Sequence, residues 1–541
     1  MGFLLCIHRK IVLGWQNRRI LFLNPHVAYH TLSSSELESA SPVSEGCHDN
    51  AERDPEATSI PGLEERFMSS EKWLVDHSSR WEWIMRLACA FMTALRPSFW
   101  PGADKSTSSR KLHPTAWLDG LRGVASLMVL FHHASVLWYY PLNRGWGSSP
   151  NDYHFVQLPF IRLFYSGPAM VAIFFVVSGF SLSYKALSLI RKGRYLKVLD
   201  ALCSSVLRRG FRLVIPPATI TFGSMLATYW GWYGVRNPRQ PPQSPYIWEH
   251  LKSWWFSAIW LSDPFRPQGI YSPTYDTNLW TIPVELYHSM VIFITLLGLS
   301  KVRGPYRLLI LSAIVCYASY YAYCYLFLFL SGVLLAELHH IREDRITTQQ
   351  TSLPDSTHQA QPTSSPFAAE RKRNMVVQGF WVVNFLLSLF LASIPMSNLG
   401  GDASPGYITL TSLIPTNYRR AMVPDTFWLY LAATYLVLVL DNAPFLQAIF
   451  TTRIAQYLGR ISFALYICHG TFLYTLGWNL SASCLDWSGR EPGLHYNTGI
   501  AMTVSVLFPV LFFTADLVAM HVDAKSVIFA KWLSVKISVA E

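Results

Sequence analysis

The sequence predicts an all-α, polytopic transmembrane bundle of about ten spans, and three observations carry that prediction. Of 541 residues, 51% are hydrophobic and 15% aromatic, while only 14% are charged. Soluble domains carry about a quarter charged residues. The apolar residues gather into runs of spanning length, which needs roughly 20 residues for ~30 Å of hydrocarbon. The third observation is that positive charge alternates from loop to loop, as short cytosolic loops rich in Lys and Arg require.

The runs lie at 116–138, 160–188, 203–230, 279–299, 306–321, 323–338, 378–396, 426–441, 460–480 and 498–520. The fifth and sixth are short and share almost no loop. Between the second and third sit Lys185, Arg191, Lys192, Arg194, Lys197, Arg208, Arg209 and Arg212, whereas the preceding loop 139–159 carries only Arg144. With 185–212 inside, the basic stretches Arg110–Lys111, Lys301–Arg307, Arg371–Arg373 and Lys525–Lys536 also fall inside, and both termini are cytosolic. Loop 397–425, with Arg419 and Arg420, runs against the pattern. Because the net charge of +11 is distributed in this way, it orients a membrane protein and does not point to nucleic acid.

Three regions follow. Residues 1–71 are a largely disordered tail, Ser-, Glu- and Pro-rich over 31–65. Its first 23 residues mix Arg and Lys with Leu and Ile, which could make an organelle-targeting or interfacial segment, but an untargeted tail or an extended gene model is the plainer reading. Residues 72–110 alternate Trp, Leu, Ile and Met with Arg and Lys and read as an amphipathic segment on the cytosolic surface. Residues 111–541 are the transmembrane domain, with a disordered cytosolic loop at about 345–370. The eight cysteines show neither CxxC pairing nor zinc spacing, so no metal site is expected.

Ionisable residues inside spans are costly and mark working sites. The first run holds Asp119, Arg122, His132 and His133. Arg122 and His133 are eleven residues apart, almost three full turns at ~100° per residue, so they share a face with Ser126 and Val129 between them. His132 points about 100° away; the plain alternative makes both histidines interfacial anchors. The second run ends in Ser178-Gly179-Phe180-Ser181, small residues that also suit close helix packing. The third opens with Arg208 and Arg212 four apart, one face carrying two guanidinium groups, the geometry that grips phosphate. Arg209 is accounted for by the ordinary basic belt. The fourth run opens with Trp280 and Glu285, and the ninth carries Tyr466 and His469. A lone membrane histidine such as His469 is often held by a backbone carbonyl.

Read in order, these segments resemble the acyltransferase-3 family of membrane acyltransferases over roughly 115–520. "LDGLRGVASLMVLFHH" at 118–133, "FFVVSGFSLS" at 174–183, "RRGFRLVIPP" at 208–217, "LWTIPVE" at 279–285 and "ISFALYICHG" at 461–470 are similar to its successive blocks. Each block is weak alone; their order inside an independently reached ten-span pattern is what makes the resemblance specific. Arg96-Pro97 and the long N-terminal extension resemble fungal members. The resemblance implies that His133, ten residues beyond Arg122, is the catalytic histidine; the doubled histidine departs from the family pattern and leaves His132 beside it.

It further implies acyl transfer, with acetyl or another short acyl group expected, from acyl-CoA to a hydroxyl of a carbohydrate, lipid or small natural product. The CoA phosphates would lie on Arg208, Arg212 and Arg122. His133 would serve as general base with Glu285 orienting it, or as a covalent acyl carrier. Ser178, Trp280 and His469 would line the substrate. The expected location is the endoplasmic reticulum or another secretory membrane. Buried Arg, His and Glu also suit a proton-coupled transporter, although no internal repeat or pair of broken helices supports one. A catalytically dead scaffold is the third reading, and the intact Arg122–His133 face argues against it.

Overall fold

The computed structural model describes residues 112–234, 237–265, 272–351 and 366–537. The tail 1–71 and the segment 72–110 lie outside the described residues. Among those described, regular structure is helical throughout, with no strand.

The helices are α1 (Ala116–Trp138), α2 (Gly167–Arg191), α3 (Tyr195–Tyr229), α4 (Ile247–Leu261), α5 (Thr281–Gly298), α6 (Gly304–Tyr320), α7 (Cys324–Thr351), α8 (Pro366–Ala392), α9 (Thr426–Asn442), α10 (Arg453–Phe472), α11 (Trp478–Ser488), α12 (Leu494–Val518) and α13 (Ala524–Ile537). Each of the ten predicted apolar runs overlaps one of them, the ninth continuing from α10 into α11. Six stretches are long and apolar enough to cross a membrane: Ala116–Trp138, Gly167–Arg191, Thr277–Gly298, Cys324–Gln349, Met375–Ala392 and Leu494–Ile537. Helices α6 and α9 have 17 residues each, so length and composition alone do not fix the count at ten.

The fifth and sixth runs are separate helices. Ala322 adopts a left-handed φ of 56°, and the Tyr323 amide closes back on the Ala318 carbonyl at 2.8 Å, which stops α6 before α7 begins. Of the loop expected to be disordered at 345–370, residues 352–365 lie outside the described residues, and the flanking parts are helical. Helix α7 runs on to Thr351 and α8 begins at Pro366. Arg191 donates to Asp344 from α2 at 3.0 Å and to Glu337 at 2.9 Å, tying the extension of α7 to the bundle. The Trp-rich segment 231–278 contains α4, which leaves Trp248 and Trp255 exposed while burying His250 and Leu261.

Two crossings bring backbones together. Gly179 of α2 meets Gly332 of α7: a Cβ on Gly179 would stand 2.1 Å from the Phe329 carbonyl oxygen. Gly123 of α1 meets Gly459 of α10, where a Cβ would stand 2.3 Å from the Gly459 nitrogen. Only residues without a side chain allow these approaches, which replace the hydrophobic drive that lipid cannot supply between helices. Single π turns interrupt two helical columns, at Leu473–Gly477 between α10 and α11 and at Ala519–Asp523 between α12 and α13. Such turns recur at functional sites, and each borders a polar layer of the bundle.

Candidate active site

The inner face of α1 carries two polar layers, one at Arg122 and one at His133. Eleven residues at 1.5 Å each separate them by about 16 Å along the axis.

In the first layer Glu285 of α5 is the focus. Ser178 of α2 donates its hydroxyl to Glu285 Oε1 at 2.8 Å, and Arg209 of α3 pairs with the same oxygen. Arg209 also donates through Nε to Ser289 at 3.1 Å. Arg212 makes a two-pronged pair with Asp523, Nε to Oδ1 at 2.9 Å and Nη2 to Oδ2 at 3.1 Å. Its guanidinium lies 5.6 Å from the Phe463 ring centre. The π turn Ala519–Asp523 is what delivers Asp523 to this point. Arg122 lies within electrostatic reach of Glu285, Arg209 and Arg212. Its nearest carboxylate is the exposed Asp119 at 3.7 Å, and its Nε has no hydrogen-bond partner. The layer therefore gathers three guanidinium groups around two enclosed carboxylates, leaving Arg122 without a buried counter-ion.

In the second layer the His133 ring faces His469 of α10 at 5.0 Å between ring centres, with His132 at 5.2 Å on its other side. The His132 Nδ1 is engaged by the Tyr165 carbonyl at 2.9 Å. His469 is fully buried and donates through Nδ1 to the Tyr466 carbonyl, which leaves Nε2 unprotonated and without a partner. His133 is partly exposed and has no hydrogen bond among the described residues. Arg239 acts electrostatically on His133 and lies 5.5 Å from the Tyr474 ring centre. Asp276 and Asn278, just before α5, complete the layer against α10. Asp276 Oδ2 accepts from the Thr471 amide at 3.1 Å and its hydroxyl at 3.2 Å.

The residues singled out in the sequence do not all meet. Arg122 and His133 share the inner face of α1 as expected from their spacing. Glu285 is committed to Arg209 and Ser178 in the other layer and is not a partner of His133. Arg208 bonds Ser205 of its own helix at 3.1 Å, whereas Arg212 reaches Asp523, so the two guanidinium groups expected to share a phosphate have different partners. Arg209, which the basic belt accounts for in the sequence, is the residue that reaches Glu285, because helix packing and not spacing alone decides which partner each arginine meets. Ser178 is tied to Glu285, and Trp280 packs its ring 6.1 Å from Tyr325 at the start of α5. Asp276, Asn278, Asp523 and Arg239 are not singled out by the sequence; the first three are polar residues set beside apolar runs, and Arg239 lies inside a loop. The sequon at Asn479 offers a committed amide, which donates to the Trp232 carbonyl at 2.6 Å and the Thr475 carbonyl at 3.0 Å.

A sequence profile described as an acyltransferase domain matches residues 115–518, three-quarters of the chain and all of both layers except Asp523. The chain belongs to the acyltransferase-3 family. The chain is similar to "O-acetyltransferase PaAT-1" of Phomopsis amygdali, 35% identical over 459 residues that cover 81% of this chain and 87% of that one. "Acyltransferase clz18" of Cochliobolus lunatus is 26% identical over 455 residues, 76% of this chain and 93% of its own. "Acyltransferase R4" of a Phoma species is 25% identical over 447 residues, 73% and 90% respectively. No solved structure matches the chain. This acyltransferase-3 protein is thus an acyltransferase embedded through apolar helices, and the two layers are where its chemistry is to be sought.

Proposed function

We propose that the protein moves an acyl group, acetyl by preference, from acyl-CoA to a hydroxyl of a small natural product, lipid or carbohydrate. One observation carries this reading: an unbonded, accessible His133 stands on the same helix face as Arg122, about three turns from a cluster of guanidinium groups. That interval suits an extended pantetheine arm, with CoA phosphates at the arginines and the thioester at the histidine. Arg122, lacking a buried counter-ion, is the arginine freest to bind phosphate, and Arg208 and Arg212 extend the basic surface. Glu285 holds Arg209 in place and is a positioning residue for the donor site. The fungal relative whose name reads O-acetyltransferase supports acetyl as donor group and oxygen as acceptor atom.

In the reaction, a His133 ring nitrogen takes the proton from the acceptor hydroxyl as its oxygen forms a bond to the thioester carbon. The tetrahedral intermediate then collapses, the carbon–sulfur bond breaks, and the CoA sulfur leaves with the proton from His133. General-base action of this kind contributes about 10²–10⁴-fold. The charge pattern supports ten spans with both termini cytosolic in a secretory-pathway membrane, so that donor arrives from the cytosol and acceptor reaches His133 from the opposite side.

The test is release of free CoA from acetyl-CoA by the detergent-purified protein. The reading expects release that vanishes in His133→Ala and a raised KM for acetyl-CoA in Arg122→Ala. Full turnover in a folded His133→Ala protein would remove the histidine from the chemistry, and absence of CoA binding by the native protein would end the acyl-CoA reading.

A further inference from the structure

Asn278 is 4% exposed, and its side-chain Nδ2 has no hydrogen-bond partner. A buried amide donor left unpaired is costly, so its position calls for an explanation. The rest of the residue is fixed on every side. Its backbone amide donates to Asp276 Oδ1 at 3.0 Å, and its carbonyl accepts from the Tyr466 hydroxyl at 2.6 Å. Asp276 accepts from this amide and from Thr471, but not from the Asn278 side chain. The Asn278 Nδ2 instead lies against Gly470, where an added Cβ would stand 2.4 Å from it. Gly470 follows His469, whose ring faces His133 and whose own Nε2 is also buried and unpaired. An unpaired donor therefore lies against Gly470, and an unpaired acceptor sits one residue before it, on the ring that faces His133.

We propose that Asn278 Nδ2 is the hydrogen-bond donor that receives the thioester carbonyl oxygen while the acyl carbon is attacked beside His133. The assignment rests on the acyl-CoA reading above. As the acceptor oxygen forms its bond to the acyl carbon and its proton passes to His133, the carbonyl π pair moves onto oxygen. The Asn278 N–H meets that developing charge. When the carbon–sulfur bond breaks, the pair returns to the carbonyl and the sulfur takes the proton back from His133. A preorganised donor of this kind, away from water, is worth about 10²–10³ in kcat.

The experiment uses the full chain in detergent with acetyl-CoA as donor and water as acceptor. Two inert probes accompany it: the ketone analogue of acetyl-CoA with CH₂ in place of sulfur, and S-ethyl-CoA, which has no carbonyl. Asn278→Ala is expected to lower kcat by about 10²–10³-fold while the KM for acetyl-CoA stays within about threefold. Asn278→Ser, which keeps a donor, falls less. The native protein is expected to bind the ketone more tightly than the thioether, and Asn278→Ala to erase the preference while binding both. The proposal is overturned if kcat in Asn278→Ala stays within about threefold of native, or if binding shows no carbonyl preference to lose. Turnover that depends on His133 but not on Asn278 leaves the acyl-CoA reading standing and removes only this donor; a native protein that binds neither probe removes both. Should Asn278→Ala fail to fold, the Asn278→Ser rates and the native protein's preference between the probes decide.

Discussion

At the scale of single residues, the site shows how much depends on one turn of a side chain. Arg209 and Glu285 are 11% and 16% exposed, and removing one partner strands the other charge in the bundle. Breaking such a pair costs about 3–5 kcal/mol, whereas removing both is far milder. Arg209→Ala is therefore expected to lower the thermal midpoint in detergent more than Arg209→Ala/Glu285→Gln; a double variant as unstable as the sum would show that the two do not act as a pair. Asp152 offers a second test outside the spans. Burial opposes its charge, but hydrogen bonds from Ser149, Ser148 and Gln157, with Arg144 beside it, outweigh burial and hold its carboxyl below the usual range. The folded state thus prefers the ionised form. That stabilisation is present above the unfolded carboxylate value and is lost as pH falls through the lower folded value. The thermal midpoint should drop between about pH 5 and pH 3, and Asp152→Asn should flatten the drop. The spacing of Arg122 and His133 was legible in the sequence because both lie on one helix, where rotation per residue is fixed. The Arg209–Glu285 pair was not, because it joins two helices across 76 positions.

At the scale of elements, the glycine crossings set how closely the helices approach. Substituting Gly179 with Val would drive a side chain into the Phe329 carbonyl of α7, a backbone group that cannot rotate away. Forced overpacking costs about 1–3 kcal/mol, and Ser178, one residue before, would shift with α2 and loosen its bond to Glu285. Gly179→Val is expected to lower both the thermal midpoint and CoA affinity, while Gly210→Ala, at a glycine with open space around its Cβ position, leaves both unchanged. Equal behaviour of the two variants would show that the crossing does not position the donor layer. The extents of α1 and α9 were readable from hydropathy to within a residue. The π turns at 473–477 and 519–523 were not, since a wide turn inside an apolar run changes no residue type and leaves no mark in composition.

At the scale of the whole molecule, the two layers lie about 16 Å apart along α1. If CoA phosphates dock on the arginine layer, its protection of the protein should fade as salt rises, because partly exposed charges are screened within ~10 Å at 0.1 M ionic strength. Thermal stabilisation by CoA is expected to fall steeply between low salt and about 0.5 M salt; a salt-independent shift would place CoA recognition on apolar contacts. The sequence by itself determined the membrane class, the order and approximate limits of the helices, and the family, because each is written in local composition and in short ordered blocks. Only the tertiary structure decided that Arg209 turns inward, that Glu285 serves the arginines and not His133, and that Asn278 lies unpaired beside His469. The reason is physical: hydropathy reports how far each residue prefers to be from water, but which buried faces meet is set by the packing of helices distant in sequence, and partners of buried charges follow from that packing.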